Sequence, residues 1–163
     1  MGSTAREGNT EKVRLLLDQG ADPNGDLRFS REPLPPAIWS GNMETVRLLL
    51  ERGANANAQT QYHCPLTWAV GDGSIETVRL LIEWGADVNP EIVDYKPLMQ
   101  AARRGNNARV RFLIERGADV NAQSKDGMTA LKYAILKGHH DTAELLQLLQ
   151  RFGAKEALDR GGT

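Results

Sequence analysis

A spacing of about 33 residues recurs along the whole chain, and it constrains the fold more than any other feature. Glycine precedes alanine five times, at residues 20–21, 53–54, 85–86, 117–118 and 153–154. A second glycine series has steps of 33, 32, 32 and 33: Gly8, Gly41, Gly73, Gly105 and Gly138. A leucine series has steps of 32, 32 and 33: Leu34, Leu66, Leu98 and Leu131. Repetition at this period predicts a solenoid of stacked units.

Each unit carries the pattern of two helices. Between Gly41 and Gly53, apolar side chains cover about 200° of a helical wheel, so this helix must be packed on several sides. Glycine then ends it in a left-handed conformation. The preceding helix is shorter, with inward positions at i, i+3 and i+4. These positions are Leu34, Ala37 and Ile38, then Leu66, Ala69 and Val70, then Leu131, Ala134 and Ile135.

These motifs resemble the ankyrin repeat, a 33-residue unit with a T-P-L-H-x-A turn and two helices. The turn is matched by CPLTWA at 64–69, KPLMQA at 96–101 and TALKYA at 129–134. The end of the second helix, VRLLLERGANAN at 46–57, recurs at 78–89 and 110–121. The resemblance implies an all-α ankyrin-repeat solenoid of stacked helix-turn-helix units with β-hairpin-like connectors.

The resemblance also implies one domain that spans residues 1–163. The expected repeats cover residues 1–27 (partial), 28–59, 60–91, 92–124 and 125–158. Pro36 falls near the fourth position of a first helix, where a backbone N–H is needed. We therefore predict that this helix is short or distorted.

Composition argues against several classes of protein. Lys and Arg total 20 against 21 for Asp and Glu, which disfavours binding to nucleic acid by bulk charge. No apolar run approaches the roughly 18 residues of a membrane span, and no signal peptide is indicated. Cys64 is the only cysteine, so an internal disulfide and a cysteine zinc site are not expected. These features favour a reducing compartment, cytoplasmic or nuclear.

The residues that could carry chemistry do not form a catalytic pattern. His139, His140 and Asp141 occupy a helix start, and no second histidine pair exists to complete a metal site. His63 and Cys64 could suggest a base and a nucleophile, but no third orienting group is indicated. Phosphate-binding loops, nucleophile elbows and HExxH motifs are absent from the sequence. We predict no enzyme activity, no cofactor, no metal and no small-molecule substrate.

The outward face of the first helices is richer in aromatic residues than a solvated face requires. Aromatic residues beside arginine are typical of interface hot spots. In proteins of the resembled family, this face and the hairpin tips form a concave groove for partner proteins. The candidate partner-binding residues are Arg31, Trp39, Ser40, His63, Trp68, Asp72, Tyr95, Met99, Arg103, Arg104, Met128, Tyr133, Leu136 and Lys137. An alternative for Trp68 and Tyr133 is packing between neighbouring repeats.

The sequence therefore predicts a monomeric, non-catalytic module that binds another protein, without membrane insertion. One alternative is a regulatory inhibitor that occludes a partner enzyme with the same groove. Another is a polyanion-binding module that uses the fourth repeat, where five arginines lie within 14 residues: Arg103, Arg104, Arg109, Arg111 and Arg116. The helical wheel splits these arginines between two helices and Glu115 offsets them, so nucleic acid is disfavoured.

Overall fold

A computed structural model describes residues 4–5, 9–25, 33–59, 63–92 and 94–152. Within these ranges the chain forms α-helices and no β-strand. The helices with defined bounds are α1 (Thr10–Asp18), α2 (Leu34–Trp39), α3 (Met43–Glu51), α4 (Pro65–Asp72), α5 (Ile75–Glu83), α6 (Pro97–Arg103), α7 (Asn107–Glu115), α8 (Ala130–Leu136) and α9 (His140–Phe152). The expected all-α architecture is confirmed for these residues.

Short and long helices alternate from α2 onward, as the repeat predicts. The second helices α3, α5 and α7 begin after Asn42, Ser74 and Asn106. Each of these side chains accepts a hydrogen bond from the backbone N–H three residues later, which caps the helix. The helix α2 has six residues, fewer than α4, α6 or α8, so the expected short helix at Pro36 is confirmed.

The described residues divide into two compact units. The first contains the described residues up to 58 and residues 64–87. In it, α2 packs against α3 and α4, α4 packs against α5, and α3 also contacts α1 and α5. Ala37 and Ala69 are fully buried in the first helices, and their small side chains let neighbouring helices approach closely. Leu49 and Leu81 fill the core from the second helices.

The second unit contains the described residues of 59–63 and of 88–152. In it, α6 packs against α7 and α8, and α9 packs against α7 and α8. The connector before α8 turns like a hairpin, because the Ser124 N–H donates to the Met128 carbonyl over 2.9 Å. Gly127 occupies the left-handed region at its tip, with φ of 68°.

Asparagine side chains join successive connectors within each unit. In the first unit, Asn57 Nδ2 donates to the Gly85 carbonyl and Asn57 Oδ1 accepts from the Asp87 N–H, both over 2.7 Å. In the second unit, Asn89 makes the same two bonds to Gly117 and Asp119 over 2.9 and 2.8 Å. One side chain thus satisfies two backbone groups of the following repeat, which fixes the spacing between connectors.

Candidate protein-binding surface

Trp39 and Trp68 form an aromatic pair in the first unit. Trp39 is the last residue of α2, and Trp68 lies one turn into α4. The ring centroids are 4.7 Å apart and the planes meet at 83°, an edge-to-face arrangement. Trp39 remains 47% exposed, whereas Trp68 is half-buried. Trp68 therefore packs against the neighbouring repeat and also supports the exposed ring of Trp39.

Two polar candidates lie at the carboxyl ends of the same helices. Ser40 is exposed after α2, and its hydroxyl donates to the Ala37 carbonyl over 2.8 Å. Asp72 is exposed as the last residue of α4. The tryptophan pair is thus accompanied on its helices by a hydroxyl and a carboxylate that reach solvent.

A second aromatic pair, Tyr95 and Tyr133, lies in the second unit. The ring centroids are 5.9 Å apart. The Arg103 guanidinium carbon is 5.6 Å from the Tyr95 ring centroid, within the range of a cation–π interaction. Arg103 Nε also donates to Gln100 Oε1 over 3.0 Å, which fixes the side chain at the end of α6. Arg103 and both tyrosines therefore form one cluster.

Tyr95 has an unusual backbone. Its φ is 44°, and among the described residues it is the only non-glycine with positive φ. The left-handed region is unfavourable for a residue with a large side chain. The ring is nevertheless 37% exposed, so the core does not require this conformation.

The environment of Tyr133 keeps its hydroxyl neutral. Burial raises the pKa of Tyr133 above its ordinary value, and Tyr95, Asp94 and Asp126 act in the same direction. Arg103 opposes them by favouring the charged form. At neutral pH the hydroxyl is therefore a hydrogen-bond donor, with two carboxylates in its surroundings.

The remaining candidates are spread over helix ends and connectors. Arg104 is exposed after α6, and Lys137 is exposed after α8. Leu136 is 67% exposed at the end of α8. Met128 and His63 are half-buried, and burial lowers the pKa of His63, which leaves its ring uncharged at neutral pH. Arg31 lies outside the described residues.

The assignment of Met99 to the surface was wrong. Its side chain is 1% exposed, and five of the seven residues of α6 are buried. The equivalent Thr67 is also buried, where its hydroxyl donates to the Cys64 carbonyl over 2.7 Å and accepts from the Cys64 N–H over 3.0 Å. The inward face of these helices is therefore wider than the i, i+3, i+4 stripe.

The inward placement of Ile135 was also wrong, and this residue was missed as a surface candidate. Ile135 is 57% exposed. Among the described elements, α8 packs chiefly against α6 and α9, and neither covers this side chain. The helical wheel carried no signal that could have identified it, because exposure depends on which neighbouring helices cover the side chain.

The residues with possible chemistry occupy structural positions. Cys64 precedes α4 and is buried, and this burial raises the pKa of its thiol, which disfavours the nucleophilic thiolate. His139 Nε2 lies 3.0 Å from the Arg103 carbonyl, at a cleft of about 300 Å³ between the turns after α6 and α8. In the part of the chain that the structure describes, no group of three His, Cys, Asp or Glu residues could hold a metal.

The arginine-rich segment is divided between two helices. Arg103 and Arg104 lie at the end of α6, whereas Arg109 and Arg111 lie within α7. Arg116 follows α7, and its guanidinium carbon is 4.7 Å from the Phe112 ring centroid. Arg103 and Arg116 therefore make separate cation–π contacts, with Tyr95 before α6 and with Phe112 in α7.

Comparison with known families gives one consistent result. A family model described as ankyrin repeats (3 copies) matches residues 2–92, and one described as ankyrin repeats (many copies) matches residues 98–147. No curated protein matches the chain. No helix in the described ranges has the length and apolar character needed to cross a membrane. Ankyrin repeats generally serve as protein–protein interaction modules, typically without enzymatic activity. The chain belongs to the ankyrin repeat family.

Proposed function

We propose that the chain is a non-catalytic module that binds a partner protein through the exposed face of its first helices and the adjoining connectors. The observation that carries this proposal is the presence of two aromatic pairs, each with one exposed ring: Trp39 beside Trp68, and Tyr95 beside Tyr133. The helix cores are built mainly from leucine, valine, isoleucine and alanine, so these rings are not needed to fill them.

The chemistry of these pairs suits recognition of a protein. Trp and Tyr offer large contact areas, and their side chains have few rotatable bonds, so little entropy is lost on binding. Trp39 is already held by Trp68, which reduces that loss further. A central aromatic anchor of this kind typically contributes about 2 kcal/mol or more to binding.

Trp84 provides a matched control for Trp39. The two side chains are 45% and 47% exposed, but Trp84 follows the second helix α5 and lies outside the aromatic pair. Affinity capture from lysate with wild type, Trp39→Ala and Trp84→Ala should identify the partner by mass spectrometry. We expect partner recovery to fall at least about tenfold with Trp39→Ala and to persist with Trp84→Ala.

The structural effect of the substitution needs its own control. Trp39→Ala also removes the edge-to-face contact, so circular dichroism and urea unfolding should accompany the capture. Trp39→Phe keeps an aromatic ring and should retain most of the binding. Equal recovery with Trp39→Ala and Trp84→Ala, both folded, would contradict the proposed surface.

A further inference from the structure

The ends of α6 and α8 concentrate positive charge in the second unit. Arg103 and Arg104 lie at the end of α6, Lys137 lies at the end of α8, and the two helices pack against each other. Residues 95–114 and 127–140 contain no Asp or Glu. Positively charged side chains interact favourably with the partial negative charge at the carboxyl end of a helix, which explains why these three residues are tolerated there. The contact of Arg103 with the Tyr95 ring is not explained by this effect.

Arg103 links this charge to the aromatic pair. Its guanidinium carbon is 5.6 Å from the Tyr95 centroid, and Tyr95 in turn contacts Tyr133 at 5.9 Å. Leu136, 67% exposed, adds apolar surface next to Lys137. The helix ends therefore present apolar and cationic groups together.

The backbone of Tyr95 is a second observation that favours a functional role. A φ of 44° is strained for tyrosine, and strained residues persist where the surrounding structure holds them, often at binding sites. Relaxing the backbone would move the ring that Arg103 and Tyr133 both contact. The left-handed backbone of Tyr95 therefore sets the position of the ring in the cluster.

We propose that these residues, the tyrosine–arginine patch, bind an acidic segment of the partner protein that also carries an aliphatic or aromatic side chain. The patch consists of Tyr95, Arg103, Arg104, Tyr133, Leu136 and Lys137. This inference rests on the proposed function and specifies the chemistry of the partner. Guanidinium groups pair with carboxylates through two parallel hydrogen bonds.

The charges also give the bound segment a direction. Asp94 and Asp126 raise the pKa of Tyr133, and both precede the first helices, as Lys96 and Lys125 also do. The cations of the patch, Arg103, Arg104 and Lys137, follow those helices. The acidic residues of the segment lie at the carboxyl ends of α6 and α8, and its apolar residue lies on the tyrosines. A nucleic acid fits this arrangement less well, because its evenly spaced phosphates would also meet Asp94 and Asp126.

Charge reversal tests the inference with a matched control. Random peptides displayed on phage should be selected against the full chain, against Arg104→Glu with Lys137→Glu, and against Arg47→Glu with Arg79→Glu. All four side chains are exposed, but Arg47 and Arg79 lie on the second helices α3 and α5. Peptides enriched by wild type should combine Asp or Glu with Leu, Phe or Trp. Their affinity should fall about tenfold or more with the first pair and stay unchanged with the second.

Two outcomes of this selection would overturn the inference. One is enrichment without a bias toward acidic residues, and the other is an equal loss of affinity for both charge-reversed pairs. Poly(U) RNA serves as the competitor for the alternative. Displacement of the peptides by stoichiometric poly(U), with a steep dependence on salt, would assign the patch to polyanions instead.

Tyr95→Asn separates the binding role from a structural one. Asparagine tolerates positive φ, so the variant should remain folded while it loses the ring. We expect the peptides to bind this variant about tenfold more weakly. Unchanged affinity would contradict a binding role for the tyrosine–arginine patch.

If the charge-reversed and Tyr95→Asn variants keep partner capture intact while Trp39→Ala abolishes it, the inference fails and the proposed function stands. If Trp39→Ala also has no effect, both fail.

Discussion

Substituting Gly105 by alanine should destabilise the second unit by more than the usual penalty for alanine in a left-handed turn. Gly105 has φ of 66°, and a Cβ built there would lie 2.6 Å from His139 Nδ1. The ring cannot move aside freely, because His139 Nε2 is 3.0 Å from the Arg103 carbonyl. Gly41 occupies the same slot in another repeat with φ of 69°, and a Cβ there would meet nothing within 4 Å.

The magnitude follows from two contributions. Placing alanine in the left-handed region costs about 1–2 kcal/mol, which is the whole effect expected for Gly41→Ala. Displacing the His139 ring also removes a hydrogen bond worth about 0.5–1.5 kcal/mol. We therefore expect Gly105→Ala to lower the free energy of unfolding by about 1.5–3.5 kcal/mol.

Urea unfolding measures the penalty of Gly105→Ala with and without the His139 ring. The four proteins of the cycle are wild type, Gly105→Ala, His139→Ala and the double variant, and Gly41→Ala is a fifth protein that serves as the control. In the His139→Ala background, the Gly105→Ala penalty should fall to the Gly41→Ala value, because no ring remains to be displaced. A penalty that is the same in both backgrounds would refute the proposed contact between Gly105 and His139.

Three further predictions concern single side chains. Met99→Ala should lower the free energy of unfolding by about 2–5 kcal/mol, while Gln100→Ala, half-buried on the same helix, should have a much smaller effect in the same urea assay. Asn57→Ala should lower it by about 1–3 kcal/mol, because the Gly85 carbonyl and one N–H lose their partner; an unchanged urea midpoint would count against these bonds. Burial raises the pKa of Cys64 above its ordinary value of 9.0, so the unfolded chain releases this proton first. Stability should be full below pH 9.0 and fall as pH rises through the folded pKa, and a Cys64→Ala variant should lack this part of the loss in unfolding measured against pH.

The fold was predictable because its repeat is local and regular. Gly41, Gly53 and Gly105 all adopt positive φ, so their spacing indicated the helix ends directly. The capping residues Asn42, Ser74 and Asn106 likewise indicated where the second helices begin. Each of these features depends only on a few neighbouring residues, which is the information that a sequence pattern contains.

The surface was predictable only in part, because exposure depends on the neighbours of a helix. The wheel placed Met99 outward and Ile135 inward, and both placements were wrong. Periodicity shows which residues share a face but does not show how widely neighbouring helices cover it. The φ of Tyr95 and its contact with Arg103 were beyond the pattern for a related reason, since they depend on loop geometry.

The central claim is that a partner protein contacts the aromatic face of the first helices. The chain has three tryptophans, so labelling with 5-fluorotryptophan gives three ¹⁹F resonances that Trp→Phe variants can assign. Trp39 and Trp68 report on the proposed surface. Trp84, which is about as exposed as Trp39, reports on the end of a second helix. On titration with the captured partner, we predict that the resonances of Trp39 and Trp68 shift while that of Trp84 stays in place. A shift of the Trp84 resonance alone would contradict the claim.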